Sequence, residues 1–374
     1  MKHNQQWKLS PDLIHVNHAA VGPWPQRTKQ AIEAFAEDNA TFGSLHYSQW
    51  IKTEAELKKQ LTTLINAKSS DEISLLKNTS EALSVIAYGI DWQAGDNIVI
   101  SDQEFPSNCI VWESLKPKGV QVKLVSLDGD CPENNLIAAC DENTRLLSIS
   151  SVQYASGLKM DLKPLGEHCR QNHILFCVDA IQSIGAHAVD VADCKVDFMV
   201  ADGHKWMLGP EGIALFYCRK GIRNTVKLNQ FGWHMVEDFL NFDNKNWQIA
   251  NNGRRFECGS PNMLGIHGLH ASLSLILEIG IDNISRMIDE KIDLLINDLK
   301  DLPQINILSP LAAKRRSGIF TFSSTLSSTD KLFDYLSANK VFCAMRGGGV
   351  RLSPHYYTPD EQIKSIISYI SKFR

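Results

Sequence analysis

Ala201-Asp202-Gly203-His204-Lys205-Trp206-Met207-Leu208-Gly209-Pro210-Glu211-Gly212 is the most informative stretch of the chain. It follows an apolar run, residues 197–201, that reads as a strand. Its glycines let the backbone bend and approach a ligand closely. A lysine held there differs from one on a charged helix face, although an exposed loop lysine, taken alone, would look the same.

Working outward, short apolar runs alternate with amphipathic segments. Strands are expected at 97–101, 120–126, 145–150, 174–178, 197–201 and 212–218. Helices are expected at 49–65, at 162–171 and from Asn78-Thr79-Ser80-Glu81 through Leu83, Ile86 and Ala87. That alternation specifies an α/β lobe with a mostly parallel sheet. Beyond Pro261 the pattern changes to long helices at 263–278 and 283–299, strands at 319–323 and 341–345, and a last helix after Pro359. The chain therefore divides into a large lobe, 12–260, and a smaller α+β lobe, 261–374, with residues 1–25 packing against the smaller one. No internal repeat or low-complexity segment is present.

At 374 residues, with 44% hydrophobic and 21% charged residues, the chain has the balance of a soluble enzyme with a substantial core. A net charge of -4 disfavours a general nucleic-acid or anionic-membrane binder. Lys314-Arg315-Arg316 is too short a basic run to change that. Residues 1–11 lack a signal peptide's apolar core, and no run approaches the roughly 20 apolar residues of a membrane span. The nine cysteines contain no C-x-x-C pair, so neither a disulfide framework nor a structural zinc site is expected, and the setting is expected to be cytoplasmic.

Asp179 bears on the lysine. It ends the run 174–178, and a carboxylate at the carboxyl end of an interior strand stands where α/β sheets place ligands. Buried there, its charge needs a cation or hydrogen-bond donors. A protonated pyridine nitrogen would serve, and the carboxylate would keep that ring an electron sink. A helix-capping Asp looks the same and is compatible with that role. Asn78-Thr79-Ser80, at a helix start, offers amides, hydroxyls and the positive end of a helix dipole to a phosphate, as any Ser or Thr cap does.

Together these pieces resemble the class V aminotransferase family of fold-type I pyridoxal 5'-phosphate (PLP) enzymes. That family includes cysteine desulfurases, selenocysteine lyases, kynureninase and isopenicillin N epimerase-like proteins. The resemblance runs from about Ile14 to the C-terminal helix through seven segments in order. They are Asn17-His18-Ala19-Ala20, Asn78-Thr79-Ser80-Glu81-Ala82, Glu104-Phe105-Pro106-Ser107-Asn108, Asp179-Ala180-Ile181-Gln182, Gly203-His204-Lys205, the run 255–262 and Arg351-Leu352-Ser353. The implied fold is a large lobe with a mostly parallel, seven-stranded type of sheet flanked by helices, and a smaller α+β lobe.

The resemblance also implies roles. Lys205 forms the Schiff base with PLP and shuttles protons. Asp179 meets the ring nitrogen, Gln182 the phenolic oxygen, and Phe105 stacks on the ring. Thr79, Ser80 and His204 hold the phosphate. Ser260 reaches the phosphate of a neighbouring subunit, which implies a homodimer with shared sites. Arg351 clamps the substrate α-carboxylate, and His18, Ala19 and Ala20 line the substrate entrance. The reaction would pass through an external aldimine and a Cα carbanion of a small amino acid.

Three departures matter. Asp202 stands where desulfurases commonly have Ser. A carboxylate repels a phosphate dianion, so Asp202 is expected to point elsewhere or pair with a base. Tyr154 stands where an Asn often contacts the ring oxygen; Gln153 is the substitute, with the inward side chain left open. The only cysteine near a desulfurase nucleophile's position is Cys343, in a run that reads as a buried strand before a short glycine turn. Buried thiols are usually inert.

Three functions follow: a lyase, aminotransferase or epimerase acting on a small amino acid; a cysteine desulfurase using Cys343; or a non-catalytic class V scaffold. Intact Lys205, Asp179 and Arg351 disfavour the scaffold. Analogy to selenocysteine-lyase-like proteins tips the first reading toward a lyase. No metal is expected: the histidines show no H-E-x-x-H spacing, and His267 and His270 fit a surface or interface role. Gly347-Gly348-Gly349 lacks the Lys-Ser/Thr of a nucleotide loop and reads as a turn before Arg351.

Overall fold

Strands with apolar residues on both faces are stable only in a sheet covered on both sides. The computed structural model, which describes residues 4–374, shows such a sheet. The chain runs β1 (Ile14–His15), α1 (Gln26–Phe42), α2 (Tyr47–Leu64), β2 (Ile73–Leu76), α3 (Thr79–Gly89), β3 (Asn97–Ser101), α4 (Ser107–Glu113) and β4 (Gln121–Val125). It continues through α5 (Pro132–Ala139), β5 (Thr144–Ser150), α6 (Leu162–Gln171), β6 (Leu175–Asp179), β7 (Phe198–Asp202) and β8 (Ala214–Cys218). The seven strands from β2 to β8 pair in the order β2-β8-β7-β6-β5-β3-β4. β8 alone runs against the rest, antiparallel to β2 and β7, while the pairs from β7 to β4 are parallel.

Alternation along each strand builds the core. Phe198 and Val200 of β7 join the cluster under α3 and α4, with Leu83, Ile86 and Trp112. Met199 and Ala201 join the opposite cluster, with Leu57, Leu165 and Leu273. Six co-directional strands end on one edge, and Ser101, Ser150, Asp179 and Asp202 are their terminal residues in β3, β5, β6 and β7.

After α7 (Lys220–Arg223) an irregular stretch leads to α8 (Met263–Ile279) and α9 (Ile281–Leu299), separated by Gly280 at φ +86. β9 (Ile305–Ile307), β10 (Phe320–Ser324), α10 (Thr329–Ala338), β11 (Val341–Phe342), β12 (Ala344–Arg346), β13 (Gly349–Leu352) and α11 (Asp360–Lys372) complete the chain. A four-stranded sheet has the order β12-β13-β10-β9. α8 packs on α1 and α2, whereas α9 packs on α11. β1 pairs with β11, and Asn17 bridges to Ser353, so the N-terminal segment is tied to the C-terminal elements. The expectation for residues 1–25 also covers residues 1–3, which lie outside the described residues.

The expected single strand 341–345 is two. β11 pairs with β1 and β12 with β13, and Cys343 sits at the break between two sheets. β12 and β13 are joined by Gly347 (φ 55) and Gly348 (φ 79), a two-residue hairpin turn that needs positive φ at both positions. Among the described residues, no single helix is long and apolar enough to cross a membrane.

Candidate active site

The lysine loop is wedged between two backbones. Gly22 N–H donates to the His204 carbonyl at 2.8 Å, and a Cβ on Gly22 would lie 2.4 Å from the Lys205 carbonyl oxygen. Gly185, at φ +96, approaches Trp206 as closely: a Cβ there would stand 2.4 Å from its carbonyl oxygen. These glycines, outside the lysine segment, hold Lys205 in place.

Lys205 faces a cavity of about 270 Å³ at the carboxyl edge of the parallel strands. Ala19, Ala20, Thr79, Ser80, Phe105 and Asp179 line it with Lys205, as do Gln182, His204 and Arg351. Tyr154, Asp202, Arg346, Ser107 and Ile181 complete the wall. A larger cavity, about 410 Å³, lies among Phe231, Trp233, Phe242 and Trp247, but Asp238 is its only titratable lining residue. Convergent ionisable groups single out the smaller one.

Two anticipated residues, His18 and Gln153, lie elsewhere, and Ser260, expected to serve a neighbouring subunit, stands outside its own chain's cavity. His18 does not line the entrance: it is fully buried, with Nδ1 2.9 Å from the Ser353 carbonyl and Nε2 2.6 Å from the Tyr357 hydroxyl. Gln153 also lies outside the cavity wall. It is fully buried and donates to Glu104 at 2.9 Å, so Tyr154 is the one that reaches the cavity. The cause is Glu104, a buried carboxylate that draws donors from Ser101, Asn108, Ser150 and Gln153. Ser260 lines a separate cleft with Gly212, Gln230 and Phe256.

Asp202 is the reverse case. Expected to point elsewhere or pair with a base, it lines the cavity and accepts the Thr79 N–H at 3.1 Å, with one base, His204, 3.9 Å away at Nδ1 and Lys205 facing it. The alternation of β7 explains this: Asp202 shares the α3 face of the sheet with Phe198 and Val200, and as the strand's last residue it emerges at the cavity beside Thr79. Arg346 was not anticipated: the hairpin at Gly347-Gly348 pairs it with Gly349 and pairs Ala344 with Arg351, which puts both arginines on one face of the ribbon.

Electrostatics follow burial. Desolvation raises the Asp179 carboxyl, against one hydrogen bond from Ile181 N–H at 3.0 Å. Desolvation lowers the Lys205 ammonium; Asp179 opposes that, and Arg351 and Arg346 reinforce it. Burial lowers His204 to about 4 and raises Asp202 to about 6. Lys205 Nζ lies 5.6 Å from the Phe105 ring centroid, and Phe105 meets Tyr154 edge-on at 5.2 Å.

Two buried polar atoms of cavity-lining residues make no well-formed hydrogen bond: Thr79 Oγ1 and Arg351 Nε. A buried hydroxyl on a helix N-terminus and a buried guanidinium with no carboxylate partner fit one phosphate and one carboxylate. Asp179, lining the same cavity, fits a protonated ring nitrogen. The residues present therefore match PLP carrying an amino acid. Glu54, His234 and Glu257 also cluster, but Lys58 Nζ lies 2.8 Å from each carboxylate, making that group an internal ion cluster.

Comparison with known proteins agrees. Residues 14–364 match the family model Aminotransferase class-V. A probable cysteine desulfurase of Methanothermobacter thermautotrophicus is 30% identical over 379 residues, covering 95% of this chain and 93% of that protein. A cysteine desulfurase of Salmonella typhimurium is 30% identical over 83% of this chain and 78% of its own length. In structure, the complex of the cystine C-S lyase C-DES with its product cysteine persulfide matches 97% of this chain and 98% of that one. Its TM-score is 0.89 at 22% identity. The apo cysteine desulfurase of Thermococcus onnurineus matches with a TM-score of 0.86 at 23% identity, over 96% of this chain and 94% of that one. The chain belongs to the aminotransferase class-V family and is a PLP-dependent enzyme that acts on an amino acid.

Proposed function

We propose that this enzyme is a lyase that breaks the Cβ–heteroatom bond of a small sulfur- or selenium-bearing amino acid and releases the heteroatom without storing it on a cysteine. The observation that carries this reading is the absence of a thiol from the cavity wall. None of the nine cysteines lines it. Cys343, the desulfurase candidate, is 4% exposed, and burial pushes its thiol up to about 12. A thiol so protonated is a poor nucleophile. The names of the relatives favour the alternative, a desulfurase, and the test below separates the two.

PLP, when bound, supplies the electron sink that makes the substrate α-proton acidic. The chain's own groups do the rest. Arg351 takes the α-carboxylate and orients the amino acid. Asp179 holds a proton at the ring nitrogen, its raised affinity favouring a shared proton in the buried setting. Lys205, with its affinity lowered, moves a proton at Cα as base and then acid. Thr79, Ser80 and His204 hold the phosphate, Gln182 faces the phenolic oxygen and Phe105 covers the ring. Two hydrogen bonds support the Gln182 role by holding its side chain at the cavity wall: it donates to the Ala19 carbonyl and accepts from Trp206 Nε1, both at 2.9 Å. Ser260, outside its own chain's cavity, is free to serve a second subunit's phosphate in a homodimer.

Turnover of cysteine, cystine and selenocysteine, with pyruvate, alanine and released sulfide or selenide quantified, tests the proposal. The lyase reading expects pyruvate and ammonia, at rates unchanged by Cys343→Ser. Alanine as product, with loss of turnover in Cys343→Ser, would establish the desulfurase instead.

A further inference from the structure

The phosphate end of the cavity holds a carboxylate. In the first turn of α3, Glu81 N–H is taken by the Asn78 side chain at 2.8 Å and Thr79 N–H by Asp202 at 3.1 Å. Only Ser80 N–H has no partner among the described residues. The Thr79 hydroxyl, which meets no other acceptor, faces the same Asp202 carboxylate. Asp202 thus occupies, with an oxygen of the wrong charge partner, the amide that a phosphate bound to this helix would use. Its side chain is only 12% exposed, so water does little to screen it from a phosphate.

We propose that Asp202 makes cofactor uptake proton-linked: ionised, it caps α3 in the cofactor-free protein, and it takes up a proton when the cofactor phosphate binds. The inference rests on PLP being the ligand of this cavity and adds how the chain controls its loading. Protonated, Asp202 becomes an O–H donor to the phosphate, replacing repulsion by a hydrogen bond. The groups facing Asp202 are Lys205 and His204 of its own loop, Glu211 further along it, and Asp179 at the end of β6. From α3 it faces the Thr79 amide and hydroxyl. His204 is largely neutral above pH 5, so Lys205 is the cation that faces the carboxylate. Burial has already brought Asp202 to about 6, within reach of a proton near neutrality. A dianion arriving beside it raises its proton affinity further.

The test uses the full chain freed of cofactor and 4'-deoxypyridoxine 5'-phosphate, which keeps the phosphate but cannot bond covalently to Lys205. Affinity is measured by calorimetry from pH 6 to 9 in buffers of different ionisation enthalpy. Wild type is expected to lose close to tenfold more affinity per pH unit than Asp202→Asn and Asp202→Ser, and to take up about one more proton per ligand. Pyridoxine, lacking the phosphate, is expected to show no such difference. Ionisation of the ligand is common to all three proteins and cancels; Asp179 and Lys205, which feel the Asp202 charge, are controlled by pyridoxine, which meets the same two groups without a phosphate. Should one variant misfold, the other and the wild-type proton count still decide. Equal slopes and equal proton uptake overturn the proposal. Failure of the folded wild type to bind the analogue at any pH removes the cofactor reading, and this inference with it.

Discussion

Arg351 donates to the Tyr154 carbonyl at 2.8 Å, and its Nε, buried, meets no acceptor. Burial lowers its proton affinity to about 10, with Arg346 adding repulsion, yet the guanidinium stays charged at neutral pH. A charged, almost fully buried arginine without a carboxylate is costly unless an anion completes it. Arg351→Ala is therefore expected to raise KM for amino acids roughly tenfold or more, the loss of about 1.5–3 kcal/mol for a charged hydrogen bond. An unchanged KM in steady-state assays would place the carboxylate elsewhere.

Lys205→Ala should leave the fold intact and remove both activity and the borohydride-reducible visible band. Full activity in the variant would overturn Lys205 as the attachment point. The neutral amine is the nucleophile, so covalent capture of PLP should accelerate with pH through a midpoint below the 10.5 of an ordinary lysine. Arg346 helps to lower that midpoint, so Arg346→Ala is expected to move it upward. Stopped-flow absorbance across pH 7–11 reads the midpoint, and a downward move would remove Arg346 from the lysine's electrostatics.

Much of this site was legible because its residues sit at the ends of strongly patterned strands. Asp179 closes an apolar run and Lys205 follows one, so strand direction fixes both at the cavity edge; Arg351, after a glycine turn in the small antiparallel sheet, was legible only through the family resemblance, and all three meet in one cavity. His18 and Gln153 were misplaced because neighbours in sequence turn to opposite sides. Which of Gln153 and Tyr154 faces inward depends on Glu104, a partner 49 residues away from Gln153. Asp202 was set aside on a charge argument that took no account of backbone alternation. α1 went unread because only Thr28 of its 17 residues is buried, leaving no apolar stripe. The split at Cys343 was invisible in a continuous apolar run, since the break serves two different sheets.

Glu104 is the hub beneath the cavity. It is 7% exposed, and its oxygens accept from Ser101, Asn108, Gln153 and both the amide and hydroxyl of Ser150. No cation lies within ion-pair distance of it among the described residues. Glu104→Ala would strand several buried donors and should cost on the order of 3 kcal/mol. Glu104→Gln keeps the shape but turns one acceptor into a donor, and is expected to fall between. Urea unfolding of the cofactor-free protein measures both, and a loss under about 0.5 kcal/mol for the alanine variant would mean water replaces the carboxylate.

Acid should loosen the seam between the N-terminal segment and the lysine loop. His15, His18 and His355 form a contiguous ring cluster there: His18 lies 4.7 Å from His15 and 5.1 Å from His355, and His355 Nε2 is 3.2 Å from the Trp206 carbonyl. Burial lowers all three, His15 to about 4 and His355 to about 3, with His18 also well below 6.5. The unfolded chain, with histidines near 6.5, binds more protons than the folded one below that pH. Stability from these residues is thus complete above about pH 6.5 and falls as pH drops toward 4 and then 3. Thermal unfolding of the cofactor-free protein at pH 7.5, 6 and 5 should show a falling Tm. His355→Gln, which has no imidazole to protonate, should show a shallower decline from a lower starting value. An equal decline in the variant would assign the acid sensitivity to groups outside this cluster.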